Sequence, residues 1–224
     1  MSDQEMTKEV AFGVANRHNF ESVSKIVDLY GSDSDTFMSL YDYDKSVLEY
    51  YSKNNTISGF DGLIYMPEQF ILDVDGDTPW KAAGKTKALL IRLEKMNVPY
   101  ELYFSGRGFH VHISKTAFNW KPSKNLHISV KKELTKHGIF DFADPSVTDK
   151  SRLIRIPHTK NSKSGSWKNQ FQPKWLHDQT ILEEKVSKWC DKPREYPLKN
   201  LECKPVFDVL DKEEVKQEKI RLKA

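Results

Sequence analysis

The segment FILDVDGDTPW, residues 70–80, joins an apolar run to closely spaced aspartates and a helix-start signal. The short apolar run 70–74 predicts a buried β-strand. Side chains of a strand alternate between its two faces, so Asp73 and Asp75 project from the same side, a few ångströms apart. Carboxylates at that spacing repel each other, and a divalent cation is the commonest partner that relieves the repulsion. The segment therefore predicts a strand that ends in a metal-binding pair.

Helix and strand signals follow this strand in a regular order. Thr78 and Pro79 form a helix start, because threonine caps a first turn that tolerates proline, and the helix runs to about Met96. YELYFSG and FHVHIS predict a hairpin with its turn at 106–108. SKNLHISVKKELTKHG predicts a helix that ends at Gly138, and RLIRI predicts one more strand. The order β-α-β-β-α-β predicts an α+β fold with a ferredoxin-like or RRM-like sheet and helices packed on it.

The segments outside this core are interpreted from periodicity alone. NFESVSKIVDLY (19–30) and DYDKSVLEYYSKN (42–54) have apolar residues at helical spacing, which predicts a helical N-terminal region. DQTILEEKVSKWC predicts a C-terminal helix over 178–190. We expect one catalytic domain over 1–210, with a helical N-terminal region over 1–60, a motif-bearing core over 60–175 and a charged tail over 211–224.

Composition limits the class of protein. Hydrophobic residues make up 38% of the chain and charged residues 30%, which is typical of a protein that acts on something polar. No apolar run is long enough to span a membrane, and MSDQEMTKEV lacks a signal-peptide pattern. We therefore expect a cytoplasmic protein with no membrane partner. Cys190 and Cys203 stand far apart, so no disulfide framework or cysteine-built zinc site is expected.

Acidic and basic residues are segregated along the chain. Residues 1–80 contain 15 Asp and Glu against 5 Lys and Arg, although the whole chain has a net charge of +3. Residues 150–177 contain no carboxylate, but the tract has seven basic residues: Lys150, Arg152, Arg155, Lys160, Lys163, Lys168 and Lys174. The tract favours a phosphate-rich partner over an ordinary solvated face. Its aromatic residues Trp167, Phe171 and Trp175 could stack on bases or belong to the core.

Three segments together resemble a known family. FILDVDGD, YFSGRGFHVHI and FADPSVTDKSRLIRIPHTKNSKSG, in this order, resemble the three motifs of the archaeo-eukaryotic primase (AEP) superfamily. The first motif of that family is a strand ending in DxD, and the second is a serine-glycine turn before a histidine on a strand. The third begins with an aspartate and continues into a basic strand and a polar loop. The resemblance covers roughly residues 60–170.

The resemblance implies a role for each matching residue. Asp73 and Asp75 would bind two divalent metal ions, with Asp144 as the third carboxylate and Asp141 as its alternative. The nucleotide triphosphate would be held by Ser105, Arg107, His110, Arg155, Asn161 and Lys163. Asn161 departs from the pattern, since many members have a histidine there, and no cysteine-rich zinc stem separates the second and third motifs. Lys131, Lys132 and Lys168 lie outside the nucleotide motifs, and we expect them to follow the template backbone.

The implied activity is DNA-directed primer synthesis. The resemblance predicts a primase or primase-polymerase that copies single-stranded DNA from NTPs or dNTPs by two-metal-ion catalysis with Mg²⁺ or Mn²⁺, without zinc. Whether a replicative helicase or a large primase subunit is also required as a partner stays open at this point. The small size suggests a viral or mobile-element protein, which would act in the host cytoplasm.

Other functions remain open at this stage. A gap-filling repair polymerase would have the same fold but would only extend primers, and a metal-dependent nuclease could use the same carboxylates. A non-catalytic nucleic-acid-binding module would keep the basic face without needing Asp73 and Asp75. His110 and His112 share a strand face and could ligate zinc, although the sequence shows no third and fourth ligand.

Overall fold

A computed structural model describes residues 5–13, 15–194 and 199–210 of the chain. The helices are α1 (Ser46–Asn54), α2 (Pro79–Lys95), α3 (Leu126–Lys136) and α4 (Gln179–Trp189), with 3₁₀ turns at Val23–Leu29, Lys115–Ala117, Ile139–Asp141, Pro145–Thr148 and Pro173–Leu176. The strands are β1 (Thr7–Phe12), β2 (Asn16–Ser22), β3 (Thr36–Ser39), β4 (Asp42–Tyr43), β5 (Ile64–Tyr65), β6 (Gln69–Val74), β7 (Tyr100–Phe104), β8 (Phe109–Ser114), β9 (Phe118–Asn119), β10 (Leu153–Arg155) and β11 (Phe207–Asp208). The α+β class predicted from the sequence is confirmed.

A three-stranded antiparallel sheet in the order β6-β8-β7 presents two chemically different faces. One face is apolar: Leu72 pairs with Val111, which pairs with Leu102, and all three are buried. Helix α2 contacts β6 and β8. On the opposite face Asp73 pairs with His110. Strand alternation therefore puts the core on one side of this sheet and the polar groups on the other.

The predicted elements of this core are confirmed. The side chain of Thr78 accepts a hydrogen bond from the amide of Lys81, and Pro79 occupies the first turn of α2. The hairpin β7–β8 turns at residues 105–108, and Gly138 follows α3 in the left-handed conformation. Helix α4 begins after Asp178, whose carboxylate accepts from the amide of Ile181. Each boundary follows from capping or turn chemistry that is local in sequence.

A second sheet has the strand order β10-β3-β1-β4-β5, and β2 pairs with β1. The predicted strand RLIRI forms β10, but it pairs antiparallel with β3 rather than with the three-stranded sheet. Its partner strand comes from the segment before residue 60, where periodicity predicts helices. The β-α-β-β-α-β order along the chain is thus divided between two sheets.

The prediction of a helical N-terminal region is wrong for most of its length. Of the described residues in that region, only α1 is α-helical; NFESVSKIVDLY forms the end of β2 and the 3₁₀ turn Val23–Leu29. The apolar spacing of three residues between Val23, Ile26 and Leu29 suits a 3₁₀ turn, which has three residues per turn, as well as an α-helix. Strand β1 escapes sequence prediction because its TKEVAF sequence buries the charged residues Lys8 and Glu9.

Three further expectations concern the charged tail, membrane-spanning segments and the two cysteines. The charged tail 211–224 lies outside the described residues. Among the residues that are described, no helix combines the length and apolar character required to cross a bilayer. Cys190 is buried and Cys203 half-buried, and both are free thiols.

Buried ions join the strands of the second sheet. The ammonium of Lys8 lies 2.6 Å from the carboxylate of Asp42 and donates to the carbonyls of Ser39 and Leu40, each at 3.0 Å. The Lys8 and Asp42 side chains are only 6% and 9% exposed. Removing one member of such a pair leaves the other charge without compensation in a poorly solvated site.

Lys8→Met should therefore lower the free energy of unfolding by about 3–5 kcal/mol, measured by urea denaturation. Lys45→Met is the control, since Lys45 forms an exposed pair with Glu5 at 3.3 Å. We expect no measurable loss for that variant. Equal stabilities of the two variants would contradict a structural role for the buried pair.

Candidate active site

A cleft of about 460 Å³ lies between the polar face of the three-stranded sheet and strand β10. It is lined by most of the residues that the motifs singled out: Asp73, Asp75, Ser105, Arg107, His110, Arg155, Asn161 and Lys163. Phe37, Gly106, Arg152, Leu153, Ile154 and Ser164 complete the lining. Residues far apart in the chain thus converge on one concave surface, as in many ligand sites.

Asp73 is the most buried carboxylate of the cleft. Its carboxylate contacts Nε2 of His110 at 3.5 Å and Nη2 of Arg152 at 3.4 Å, and the residue is 8% exposed. Burial and the neighbouring charge of Asp75 raise the pKa of Asp73 to about 6, against the opposing charge of Arg152. The ionised form is therefore held under electrostatic stress that a bound cation would relieve.

Asp75 lies where the strand opens into solvent. Its side chain is 49% exposed, and its carboxylate is 3.3 Å from Nη2 of Arg107 in the hairpin turn. The ammonium of Lys85 in α2 donates to the backbone carbonyl of Asp75 at 3.1 Å. Asp75 is thus accessible to a ligand, and cations surround it.

Asp144 reaches the first motif through its backbone. Its amide donates to the carbonyl of Asp73 at 2.8 Å, and its carboxylate lies 3.5 Å from Nη2 of Arg152. The same carboxylate caps the following 3₁₀ turn, accepting from the amide and hydroxyl of Ser146 at 2.9 and 2.6 Å. Burial opposes ionisation here, but these hydrogen bonds and the Arg152 charge hold the pKa of Asp144 below its usual value.

Asp141, the alternative third carboxylate, lies elsewhere. It is exposed in a 3₁₀ turn, and its carboxylate stands beside Gly138 and near Arg92. Neither candidate for the third carboxylate lines the cleft itself, but Asp144 is bonded to Asp73 through its backbone amide and shares the contact with Arg152. The structure therefore brings Asp144, and not Asp141, close to Asp73.

The donor set suits a hard divalent cation. Asp73, Asp75 and Asp144 offer carboxylate oxygens, the ligands that Mg²⁺ and Mn²⁺ prefer, and burial, followed by the charges of the other two carboxylates, raises the pKa of Asp73. Across the described residues, no three His, Cys, Asp or Glu side chains already stand at metal-ligand distances. Arg152 and Arg107 contact the three carboxylates instead. The residues fit a metal whose charge would replace these arginine contacts.

His110 is neutral in this environment. Burial, reinforced by the charge of Lys168, holds its pKa well below the usual value, so its contact with Asp73 is not an ion pair. His112, two residues along the same face, donates from Nδ1 to the side-chain oxygen of Gln69 at 2.9 Å and packs against the ring of Tyr103. The two histidines therefore have separate partners.

The hairpin turn requires its two glycines. Gly106 has φ +113°, and a Cβ there would overlap the side-chain amide of Asn161. A Cβ on Gly108 would overlap the backbone carbonyl of Val74. The absence of side chains lets the turn lie directly against the end of β6 and against the third motif.

Asn161 joins the second motif to the third. Its side-chain nitrogen donates to the carbonyl of Ser105 at 3.1 Å, and its side-chain oxygen accepts from the amides of Lys163 and Ser164 at 3.0 and 3.3 Å. Asn161 thus organises the loop 160–166, and the side chain of Lys163 is left exposed at the cleft.

Arg155 lines the cleft but is held from behind. Its guanidinium bonds the carboxylate of Asp35 and the carbonyl of Lys160, and lies 4.7 Å from the ring centre of Phe37. The side chain is 10% exposed. Arg155 is therefore a fixed part of the wall rather than a free surface charge.

The three lysines expected to follow a template lie in different environments. Lys131 and Lys132 are exposed on α3 and do not line the cleft, although the Lys131 charge helps to lower the pKa of Asp144. Lys168 is fully buried, and its ammonium donates to the carbonyl of Arg155 at 2.7 Å. The expectation for Lys168 is wrong, because a buried ammonium under the cleft cannot contact a template backbone. Sequence charge alone does not reveal burial.

The aromatic residues of the basic tract belong to the core. Trp167 and Phe171 are buried, and Trp175 packs against Phe171 and Trp189 with ring centres 5.0 and 5.6 Å apart. Of the two interpretations left open for them, packing is the one that the structure shows.

Sequence reasoning missed several residues of the cleft. Arg152, which contacts both Asp73 and Asp144, stands in the basic tract without an assigned role. Phe37 and Asp35 come from a segment with no motif and a wrong secondary-structure prediction. Only Arg152 had a signal, its position directly before the strand of the third motif.

Comparisons with known proteins give similarity at the level of whole structures only. No family model matches the chain, and no curated protein matches it. The structure is similar to the AEP domain of the cyanophage S-2L primase-polymerase, with 12% identity, 80% of this chain and 88% of that chain covered, and a TM-score of 0.40. It is also similar to the polymerase domain of Mycobacterium tuberculosis ligase D in complex with DNA, with 9% identity, 84% and 85% covered, and a TM-score of 0.44.

Asp73→Asn should stabilise the metal-free protein in a pH-dependent manner. The pKa of about 6 lies above the ordinary 3.8, so the folded state keeps its proton longer and the free energy of unfolding falls as pH rises between these values. Asparagine removes that penalty, so the variant should exceed the wild type by about 1–3 kcal/mol at pH 8 and by little at pH 4. Urea denaturation with a chelator measures both.

Asp77→Asn is the matched control for that experiment, because Asp77 is exposed on the same loop and pairs with Lys81. It should show no comparable gain at pH 8. A gain for Asp73→Asn that is equal at both pH values would contradict the assignment of a raised pKa to the Asp73 carboxyl.

Gly106→Ala should destabilise the protein by about 1–3 kcal/mol, because φ is positive and the new methyl would overlap Asn161. Gly84→Ala is the control. Gly84 lies within α2 with open space at its Cβ position, so alanine should stabilise by up to about 1 kcal/mol. Thermal unfolding of both variants measures the difference, and a neutral Gly106→Ala would show that the turn can move away from the third motif.

Proposed function

We propose that the protein is a DNA-directed nucleotidyltransferase of the AEP superfamily that synthesises primers on a single-stranded template. The observation that supports this most directly is the convergence on one cleft of three motif segments that are spread over residues 70–165. Carboxylates and cationic side chains lie side by side in that cleft, which is the arrangement that transfer of a nucleotidyl group requires.

Asp73, Asp75 and Asp144 would hold Mg²⁺ or Mn²⁺. When bound, the metal ions would supply charge that favours attack by a 3′ oxygen and departure of pyrophosphate. The three-stranded sheet supports this role because β6 is hydrogen-bonded along its length to β8. A rigid strand fixes the position of Asp73, and the backbone bond to Asp144 fixes the third carboxylate relative to it.

The remaining cleft residues would bind the triphosphate of NTP or dNTP. Arg107 and Lys163 are exposed cations at the cleft, and Ser105 and Gly106 of the hairpin turn line it beside Arg107. The neutral imidazole of His110 can donate a hydrogen bond to a phosphate oxygen without adding charge. Lys131 and Lys132, exposed on α3, would contact the template strand.

Two other functions are alternatives to primer synthesis for the same cleft. A gap-filling repair polymerase would extend an existing primer, and a metal-dependent nuclease would use the carboxylates to hydrolyse a strand. The cluster of phosphate-binding residues beside the carboxylates favours a reaction with a free nucleoside triphosphate, which a nuclease does not need. The proposal also includes a replicative helicase or a large primase subunit as a partner. It includes a virus as the source of the protein.

The test is incubation of the purified chain with single-stranded DNA, Mn²⁺ or Mg²⁺, and labelled NTPs or dNTPs. New oligomers on a denaturing gel indicate a primase, extension of an added primer alone indicates a repair polymerase, and shortened template indicates a nuclease. Omission of the template distinguishes templated synthesis from terminal addition. If none of these conditions yields a product, the proposal is contradicted.

Asp75→Asn should abolish synthesis while leaving the fold and template binding intact, because the exposed carboxylate pairs with the exposed Arg107 and not with a core residue. Asp77→Asn, two residues away, should retain full activity because its exposed carboxylate pairs with Lys81 outside the cleft. Product formation and fluorescence anisotropy with labelled single-stranded DNA measure the two properties. Residual activity above about a tenth of wild type in the Asp75 variant would remove it from the catalytic residues.

A further inference from the structure

Asp35 lies behind the wall of the cleft and binds two segments of the third motif. One carboxylate oxygen accepts from the guanidinium of Arg155 and from the amide of Ser162, at 3.2 Å for the amide. The other oxygen accepts from the hydroxyl of Ser162. The side chain is 16% exposed, so the bond to Arg155 forms largely out of water, whereas Ser162 is exposed. Asp35 belongs to the segment before β3, which carries no functional signal in the sequence.

Arg155 is held both at its guanidinium and at its backbone. The guanidinium is held by Asp35 and by the carbonyl of Lys160, while the backbone carbonyl of Arg155 accepts from the buried ammonium of Lys168. Few rotamers of the arginine satisfy both guanidinium bonds, and the third bond fixes its backbone. Its side chain therefore points in a defined direction before any ligand is present.

The charge of Asp35 is itself controlled by its partners. Burial alone would raise the pKa, but the hydrogen bonds from Ser162 and Arg155 and the charge of Arg155 hold the pKa of Asp35 below its usual value. The carboxylate is thus ionised at neutral pH. An unpaired negative charge next to this cleft would repel a triphosphate. The charge of Asp35 is paired with Arg155, so it can orient that cation without standing uncompensated.

We propose that Asp35 is a positioning residue that orients Arg155 and the loop 160–166 for binding the triphosphate. The inference rests on the proposed function and deepens it, since it assigns a residue from the N-terminal segment to the nucleotide site. Asp35 does not contact the nucleotide; it limits the motion of groups that do. Removing its charge releases Arg155 and Ser162 together, and triphosphate binding then requires them to be ordered again.

The experiment measures binding of a non-hydrolysable deoxynucleoside triphosphate and of the matching nucleoside to the full chain, by equilibrium dialysis with Mg²⁺ and without template. Asp35→Asn should weaken triphosphate binding about tenfold and leave nucleoside binding unchanged, because only the phosphate contacts depend on Arg155 and the loop. Asp33→Asn, an exposed aspartate two residues away, is the control and should bind both ligands like the wild type.

A double-mutant cycle separates positioning from a general loss of structure. In an Arg155→Ala background, Asp35→Asn should cause a smaller loss of triphosphate affinity than in the wild-type background, since one of its two targets is already absent and only the contacts to Ser162 remain. Additive losses, an equal loss of nucleoside and triphosphate binding, or full affinity in Asp35→Asn would each overturn the inference while leaving the proposed function in place. A wild-type chain that binds no triphosphate would overturn the proposed function and this inference with it.

Discussion

The hydrogen bond from the amide of Asp144 to the carbonyl of Asp73 is the contact on which the cleft depends. It ties the start of the third motif to the end of β6, so that carboxylates from two distant segments stay side by side although their charges repel. Arg152 neutralises some of that repulsion by contacting both carboxylates. The site is therefore a balance between backbone hydrogen bonds that bring like charges together and side-chain cations that make their proximity tolerable.

The sequence predicts the strand, helix and hairpin that border the cleft better than it predicts the scaffold around them. The strand 69–74, the capped helix after it and the glycine hairpin depend on short-range signals, and the structure confirms them. The N-terminal strands could not be predicted, because β1 buries Lys8 and Glu9, whose charges are compensated by partners that only the fold brings together: Asp42 for Lys8 and Arg17 on the neighbouring strand for Glu9. The pairing of β10 could not be predicted either, because its partner β3 lies in a region where periodicity indicates helices.

Charge along the sequence is informative only where burial does not intervene. The tract 150–177 is predicted to bind phosphate as a whole, but its members divide between the two sides of the wall. Lys163 faces the cleft, whereas Lys168 lies beneath it and holds the backbone of Arg155. The distinction depends on which way each side chain points in the folded chain, and spacing in an irregular loop does not encode direction.

Because the motifs are divided between two sheets, the segment that contains all of them is shorter than the segment that must fold together. A fragment that began at residue 60 would retain every motif, yet β10 would lose the strand β3 with which it pairs, and Arg155 would lose Asp35. The segment before the first motif is thus structural support for the last one. In evolutionary terms, exchange of the motif region between proteins would succeed only if the N-terminal strands travelled with it.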